Sequence, residues 1–229
     1  MYDGIPYGRY LDTSSCRVSV DSIRLKFTYK YQNYSYEKKC SVTTIDQLSC
    51  HIDNMFFNGC DTKWSYKDFF QIGSYCRTCT ISGINWSCAV LFGRYCYDSS
   101  CKQIAPEAVF DFNPNKVPLE ILQQVIARLR GPALIVELVR FDIAFDFPCK
   151  REAVTLVQDQ RRSYRLFREK GAITEYQGAR SSHGSLKLYD KTKESGLSCD
   201  VTRCEITVEG EYTGAFSELF PRIYCFDLL

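Results

Sequence analysis

The stretch Ala133–Phe147, ALIVELVRFDIAFDF, is the feature that most limits what this chain can fold into. Its side chains alternate with a period of two. Ile135, Val139, Phe141, Ile143, Phe145 and Phe147 fall on one face, and Arg140, Asp142, Ala144 and Asp146 fall on the other. A strand this long needs neighbours in a sheet. The pattern predicts an apolar face against a core and an open face with two carboxylates and an arginine. Pro148 ends the run.

Further alternating runs supply the neighbours. Residues 16–31 place Val18, Val20, Ile23, Leu25 and Phe27 on apolar positions, with a break expected near Asp21-Ser22. Arg24, Lys26, Thr28 and Lys30 make the opposite face, either a solvated surface or a DNA-backbone contact. Residues 64–98 read as short strands punctuated at Gly73, Gly83 and Gly93. Residues 104–113 form another, ended by the Asn113-Pro114-Asn115 turn. Later strands are expected over 173–180, 185–190 and 201–209, while residues 161–168 are basic with interleaved Tyr164, Leu166 and Phe167.

Helical spacing is clearest over 118–130, where Leu119, Leu122, Val125, Ile126 and Leu129 make one stripe and Gly131-Pro132 stops it. Residues 44–57 carry a second stripe, and 151–158 can form a short third helix. Many strands with few helices predict an α+β fold with a curved, largely antiparallel sheet flanked by helices. The expected division is a β-rich part, 1–110, and a part carrying the site motifs, 111–229, within one compact unit.

A length of 229 residues is ample for a core, and a net charge of +2 means that any nucleic-acid site must come from local basic clusters. No apolar run reaches the ~18 to 20 residues of a membrane span, and the first residues lack an export pattern. A cytoplasmic protein with no membrane contact is expected. The cysteine count, 13, is odd, which argues against a disulfide framework. The thiols serve as small hydrophobes, or Cys76, Cys79, Cys96 and Cys101 hold zinc, although the second spacing is loose for that.

The chemistry concentrates on 184–194, Gly-Ser-Leu-Lys-Leu-Tyr-Asp-Lys-Thr-Lys-Glu. A strand here puts Ser185, Lys187 and Tyr189 on one face, with Lys191, Lys193 and Glu194 just beyond. On 201–209, Arg203, Glu205 and Thr207 share a face. If these strands neighbour 133–147, a tyrosine, lysines, Arg203 and carboxylates converge. Tyrosine, with a pKa of roughly 10, needs a base or a divalent cation to attack a phosphate. Asp142 and Asp146 lie about 13 Å apart along an ideal strand, so Asp142 with Glu205 is the better pair for Mg²⁺ or Mn²⁺. Asp146 serves a basic partner or the metal's outer shell, and Glu194 is a second ligand or general base. Tyr176 and Tyr164 are lesser candidates for the nucleophile. Without further context, all these residues also read as surface ion pairs and packing.

Four blocks in order, VRFDIAFD at 139–146, YQGARSS at 176–182, LYDKTKE at 188–194 and TRCEIT at 202–207, resemble the replication initiation factor family. These are the Rep_trans-type initiators of rolling-circle plasmids and phages, related to conjugative relaxases. FNPNK at 112–116 is similar to a further segment of that family. The resemblance implies a fold distantly like that of the HUH endonucleases. It implies a nickase and strand transferase forming a 5′-phosphotyrosine on origin DNA. Tyr189 would be the nucleophile, with Lys187, Lys191 and Glu194 beside it. Asp142 and Glu205 would hold Mg²⁺ or Mn²⁺. Beside what the resemblance implies, the residues themselves offer Asp146 to the metal and Arg140, Arg180, Lys193 and Arg203 to the DNA. Expected partners are single-stranded or hairpin origin DNA, a host helicase and a second copy of the chain. Alternatives are a conjugative relaxase of the same chemistry and a non-catalytic DNA-binding replication accessory.

Overall fold

The computed structural model describes residues 11–12, 16–29, 65–72, 75–98, 101–131, 133–169, 171–179 and 183–209. The chain divides into two compact units, one of Ile23–Leu138 with the last two residues, the other of Met1–Ser22 and Val139–Asp227. The boundary expected at 110 falls inside a strand, Cys101–Phe112, whose two neighbours hold it within the first unit. Among the described residues no helix is long and apolar enough to cross a membrane. The helix expected over 44–57 lies outside the described residues.

The Ile23–Leu138 unit is an antiparallel sheet. Its strands are β2 (Arg17–Tyr29, entering at Ile23), β3 (Ser65–Ile72), β4 (Tyr75–Ser82), β5 (Ser87–Asp98) and β6 (Cys101–Phe112), in the order β3-β4-β5-β6-β2. Register places apolar side chains in rows. Cys79, Val90, Phe110 and Leu25 face one another across four strands, and Phe92, Ala108 and Phe27 across three. All seven are buried. At about 25 cal/mol per Å² of apolar surface, such rows are the main stabilising contribution in this unit.

Gly83 ends β4 as expected: its N–H donates to the carbonyl of Trp86 at 3.0 Å, and a side chain there would run into the indole. Gly93 does not break a strand. It sits inside β5 at a bulge between Phe92 and Arg94, with φ of 62°, where glycine avoids the Cβ strain of that region.

Helix α1 (Leu119–Arg130) follows Pro118, whose fixed φ suits a helix start. Its stripe of Leu122, Val125, Ile126 and Leu129 is buried, and Tyr29 donates its hydroxyl to the Leu129 carbonyl at 3.2 Å.

The other unit is also an antiparallel sheet. It contains β7 (Ala133–Phe147, from Val139 onward), β8 (Tyr164–Glu169), β9 (Ala172–Gln177), β10 (Leu186–Asp190) and β11 (Thr202–Glu209), in the order β7-β11-β10-β9-β8. The short β1 (Leu11–Asp12) pairs with the start of β2. Residues 151–158 form only one 3₁₀ turn, Arg151–Ala153. Val154 is already extended there, and Val154, Thr155 and Val157 are β-branched residues that fit a helix poorly.

Two further expectations change. The strand through Asp21-Ser22 is unbroken; the slip in its alternation coincides with the passage from one unit to the other. The face of β7 expected to be open is closed at its end, with Ala144 at 0% and Asp146 at 4% exposure, whereas Ile135 on the expected core face is 54% exposed. Asp146 can be buried because a guanidinium is buried against it.

Candidate functional site

Register brings the polar residues of β7, β11, β10 and β9 together. Asp146 lies opposite Arg203, which lies opposite Tyr189, which lies opposite Thr174. One row over run Ala144, Glu205, Lys187 and Tyr176. These rows share a face because their members are two residues apart on every strand. Just past β10 the chain turns into α2 (Lys191–Ser195). The Asp190 carboxylate caps it by accepting from the Lys193 N–H at 3.0 Å, and Gly196 closes it in the left-handed region. That turn delivers Lys191 and Glu194 to the end of the Tyr189 strand.

The Tyr189 hydroxyl donates to Glu205 Oε1 at 2.6 Å. Lys187 Nζ lies 3.6 Å from Glu205 Oε2 and 4.0 Å from Glu194 Oε1. The same ammonium sits 3.8 Å from the centroid of the Tyr189 ring, and Lys191 Nζ sits 5.7 Å from it. Lys191 also pairs with Glu194 at 2.5 Å. Tyr189 is 4% exposed. Its phenol is pushed above its ordinary range by burial, then by the Glu205 charge and hydrogen bond, with Arg203 opposing. Burial likewise raises the Glu205 carboxyl, against the pull of Lys187 and of the Tyr189 bond. Burial works the same way on Glu194, but Lys191 and Lys187 outweigh it and hold that carboxyl low. At neutral pH the phenol therefore keeps its proton and aims it at a carboxylate made more basic than usual.

Tyr189, Lys187, Lys193 and Glu194 line a cavity of about 800 Å³ together with Phe167 and Tyr176. A second cavity, about 310 Å³, is lined by Arg140, Asp142, Glu205 and Thr207, and shares Tyr176 and Lys187 with the first.

Asp146 and Arg203 belong to neither cavity. Arg203 donates through Nε and Nη2 to the two oxygens of Asp146 at 2.6 and 2.7 Å, and through Nη1 to Asp21 at 2.7 Å. Burial works against the guanidinium charge, and these carboxylates outweigh it, so its pKa rises. Asp146 thus has the basic partner expected for it, each of its oxygens accepting from Arg203. Arg203, expected to contact DNA, has all three nitrogens engaged inside the protein.

Arg140 holds Asp142 through contacts of 2.9 to 3.3 Å. Lys193 donates to the Gly171 carbonyl at 2.7 Å and stays half exposed. Arg180 lies outside the described residues. Of the other tyrosines, Tyr164 donates to Glu175 at 2.6 Å, and Glu175 also pairs with Arg151. Tyr176 reaches both cavities.

No group of three or more His, Cys, Asp or Glu among the described residues is placed to hold a metal ion. Asp142 and Glu205 do line one cavity, and two carboxylates completed by substrate phosphate are a donor set that Mg²⁺ accepts. The zinc quartet falls partly outside the described side chains; within it Cys79 is buried, as is its neighbour Cys88, whose thiol burial pushes up to about 12.

Two features are absent from the expected site: Asp21 as a partner of Arg203, and Arg165 with Phe167 in the wall of the larger cavity. For the latter, the basic-aromatic alternation of 161–168 was the available signal.

No protein-family model and no curated protein sequence matches the chain. Among solved structures, a rolling circle replication initiator protein from Geobacillus stearothermophilus is similar at a TM-score of 0.46 and 14% identity, over 88% of this chain and 77% of that one.

Proposed function

We propose that the chain is a tyrosine DNA nickase and strand transferase that initiates rolling-circle replication. The observation that carries this reading is the Tyr189–Glu205 hydrogen bond of 2.6 Å, between a tyrosine that lines the larger cavity and a carboxylate that lines the smaller one, with the ammonium of Lys187 beside both groups. A nucleophile bonded to a basic carboxylate and flanked by cations suits attack on a phosphodiester.

In this reading Tyr189 Oη bonds to the phosphorus of single-stranded origin DNA as its proton passes to Glu205. The bond from phosphorus to the 3′ oxygen breaks. That oxygen leaves as a 3′-hydroxyl, taking a proton from Lys191, and the 5′ phosphate stays on the tyrosine. Lys187 offsets the charge that builds on the phosphate. Asp142 would hold Mg²⁺ or Mn²⁺ together with the DNA phosphate, and Glu205 would join it only while unprotonated; the ion supplies Lewis-acid polarisation of the phosphate when bound. A conjugative relaxase would use the same residues on a different origin.

The burial of Tyr189 favours one other reading, a non-catalytic DNA-binding replication accessory in which the tyrosine only ties β10 to β11. Incubation with labelled single-stranded origin DNA and Mn²⁺ separates the two. The nickase forms a covalent adduct that Tyr189→Phe abolishes, with DNA binding retained within about threefold. An adduct that survives Tyr189→Phe, or a shifted band with no adduct in the unmodified protein, overturns the assignment.

A further inference from the structure

We propose that Phe167 and Tyr176 form a stacking shelf for a nucleobase of single-stranded DNA, with Arg165 beside them as a phosphate contact. The choice of DNA as ligand rests on the nickase reading; the shelf itself rests on geometry.

Among the described residues β8 ends its sheet, paired only with β9. Phe167 on this strand is 54% exposed. A large apolar ring left in water on an edge strand adds nothing to a core and exposes the edge to wrong pairing. Its position is nevertheless defined. The Phe167 and Tyr176 rings lie at 90° to one another with 5.5 Å between centroids, so they do not stack on each other, and Phe167 keeps more than half of its surface in water. Both rings line the cavity that contains Tyr189, so a base on the shelf belongs to the strand whose backbone reaches the nucleophile.

The charges of that wall are suited to a phosphate. Asp190 pairs with Lys193, and Glu194 with Lys191. Glu169, the remaining carboxylate of the wall, stands four residues from Arg165 on β8, about 13 Å along the strand, and so leaves the Arg165 end positive. Arg165 lies opposite Tyr176 in the β8–β9 register, is exposed, and has no ion-pair partner among the described residues. An open aromatic face beside an unpaired guanidinium binds single strands of any sequence, since every base has a π-face.

The test compares a labelled oligothymidylate with an abasic oligomer of equal length and charge, by fluorescence anisotropy on the whole chain at low salt. The protein should prefer the base-bearing oligomer. Phe167→Ala should weaken that complex about 5- to 150-fold while changing the abasic complex by less than about twofold. Phe167→Trp should keep the preference, which shows that the ring matters and not the fold. Equal losses on both oligomers, no loss on either, or an unmodified protein indifferent to bases would overturn the shelf. Binding is read without any covalent step, so the two proposals fail separately. A base preference that follows Phe167 with no Tyr189 adduct leaves the shelf and removes the nickase; an adduct with no such preference does the reverse.

Discussion

Among the described residues the two units bury polar side chains to different extents, Thr78 and Glu107 being the buried ones of the Ile23–Leu138 unit. The Ile23–Leu138 unit is held by apolar rows such as Cys79, Val90, Phe110 and Leu25. The unit containing Val139–Asp227 buries Asp146, Arg151, Gln177, Thr202, Arg203 and Thr207 beside Leu188, Tyr189 and Val208. Burial of charge is a poor source of stability, because desolvation offsets most of the attraction. A unit built that way is keeping groups in low dielectric, where hydrogen bonds are strong and pKa values move. Within it the charges divide again. Asp146, Arg203 and Asp21 satisfy one another and form a fixed clamp. Tyr189, Glu205 and Lys187 meet at cavities, where a ligand can join them.

The largest expected effect separates the open cluster from the clamp. Glu205→Gln keeps an oxygen to accept the Tyr189 hydrogen bond but cannot take the proton. On the nickase reading proposed above, nicking should fall about 10²- to 10⁴-fold, the range of general-base catalysis, in single-turnover assays. The pH profile gives the sign. Burial raises the Glu205 carboxyl, so the active carboxylate appears only as pH climbs past the ordinary glutamate value of about 4.3. The rate should rise along that limb in the unmodified protein and lose it in Glu205→Gln. The same raised carboxyl favours the protonated fold. Its contribution to stability is full below about 4.3 and is lost as pH rises through the folded value, so the variant should fold at least as well as its parent at neutral pH. An unchanged limb in Glu205→Gln would move the base elsewhere, with Glu194 next in reach of Lys187.

The clamp should show in stability. Arg203→Ala leaves Asp146 buried without its partner, which costs about 3–5 kcal/mol. Phe110→Ala in the other unit should cost about as much, 3–5 kcal/mol, by cavity formation. Equilibrium denaturation measures both, and a second substitution distinguishes them. Asp146→Leu combined with Arg203→Met should recover most of the loss, because an apolar pair needs no desolvation, whereas nothing comparable restores the Phe110 cavity. A double variant as unstable as Arg203→Ala would mean that the clamp holds the fold by something other than mutual neutralisation.

This contrast explains what could be read from the sequence. Alternation located β7 to the residue, and the stripe of 118–130 located α1 within one residue, because both patterns follow directly from backbone geometry. Convergence of Tyr189, Lys187, Glu205 and Arg203 followed from assuming that their strands pair, as they do. Polarity was a poor guide to depth: Asp146 and Arg203 read as an open face and are buried, since a charge can be covered once its partner comes from another strand. That partner, Asp21, is far away in sequence and sits where the pattern of β2 slips, so no local period could reveal it.

The smallest effect concerns the basic face of β2, for which solvent and a DNA backbone were both open in the sequence. Arg24 pairs with Asp111 at 2.5 Å and Lys26 with Glu137 at 2.6 Å, all four side chains being about a third to a half exposed. Cations already matched by carboxylates offer little net field to a phosphate, and partly exposed pairs contribute about 0.2–1 kcal/mol that salt screens. Lys26→Ala should therefore change stability by no more than that, vanishing at high salt, and should shift oligothymidylate affinity by less than about twofold. The counter-ion slope makes the test sharp, since each phosphate contact removed lowers the dependence of log affinity on log salt by about 0.7 for a single strand. A full step in that slope for Lys26→Ala would place DNA on the Ile23–Leu138 unit and end the division between a unit that is only held together and a unit that also acts.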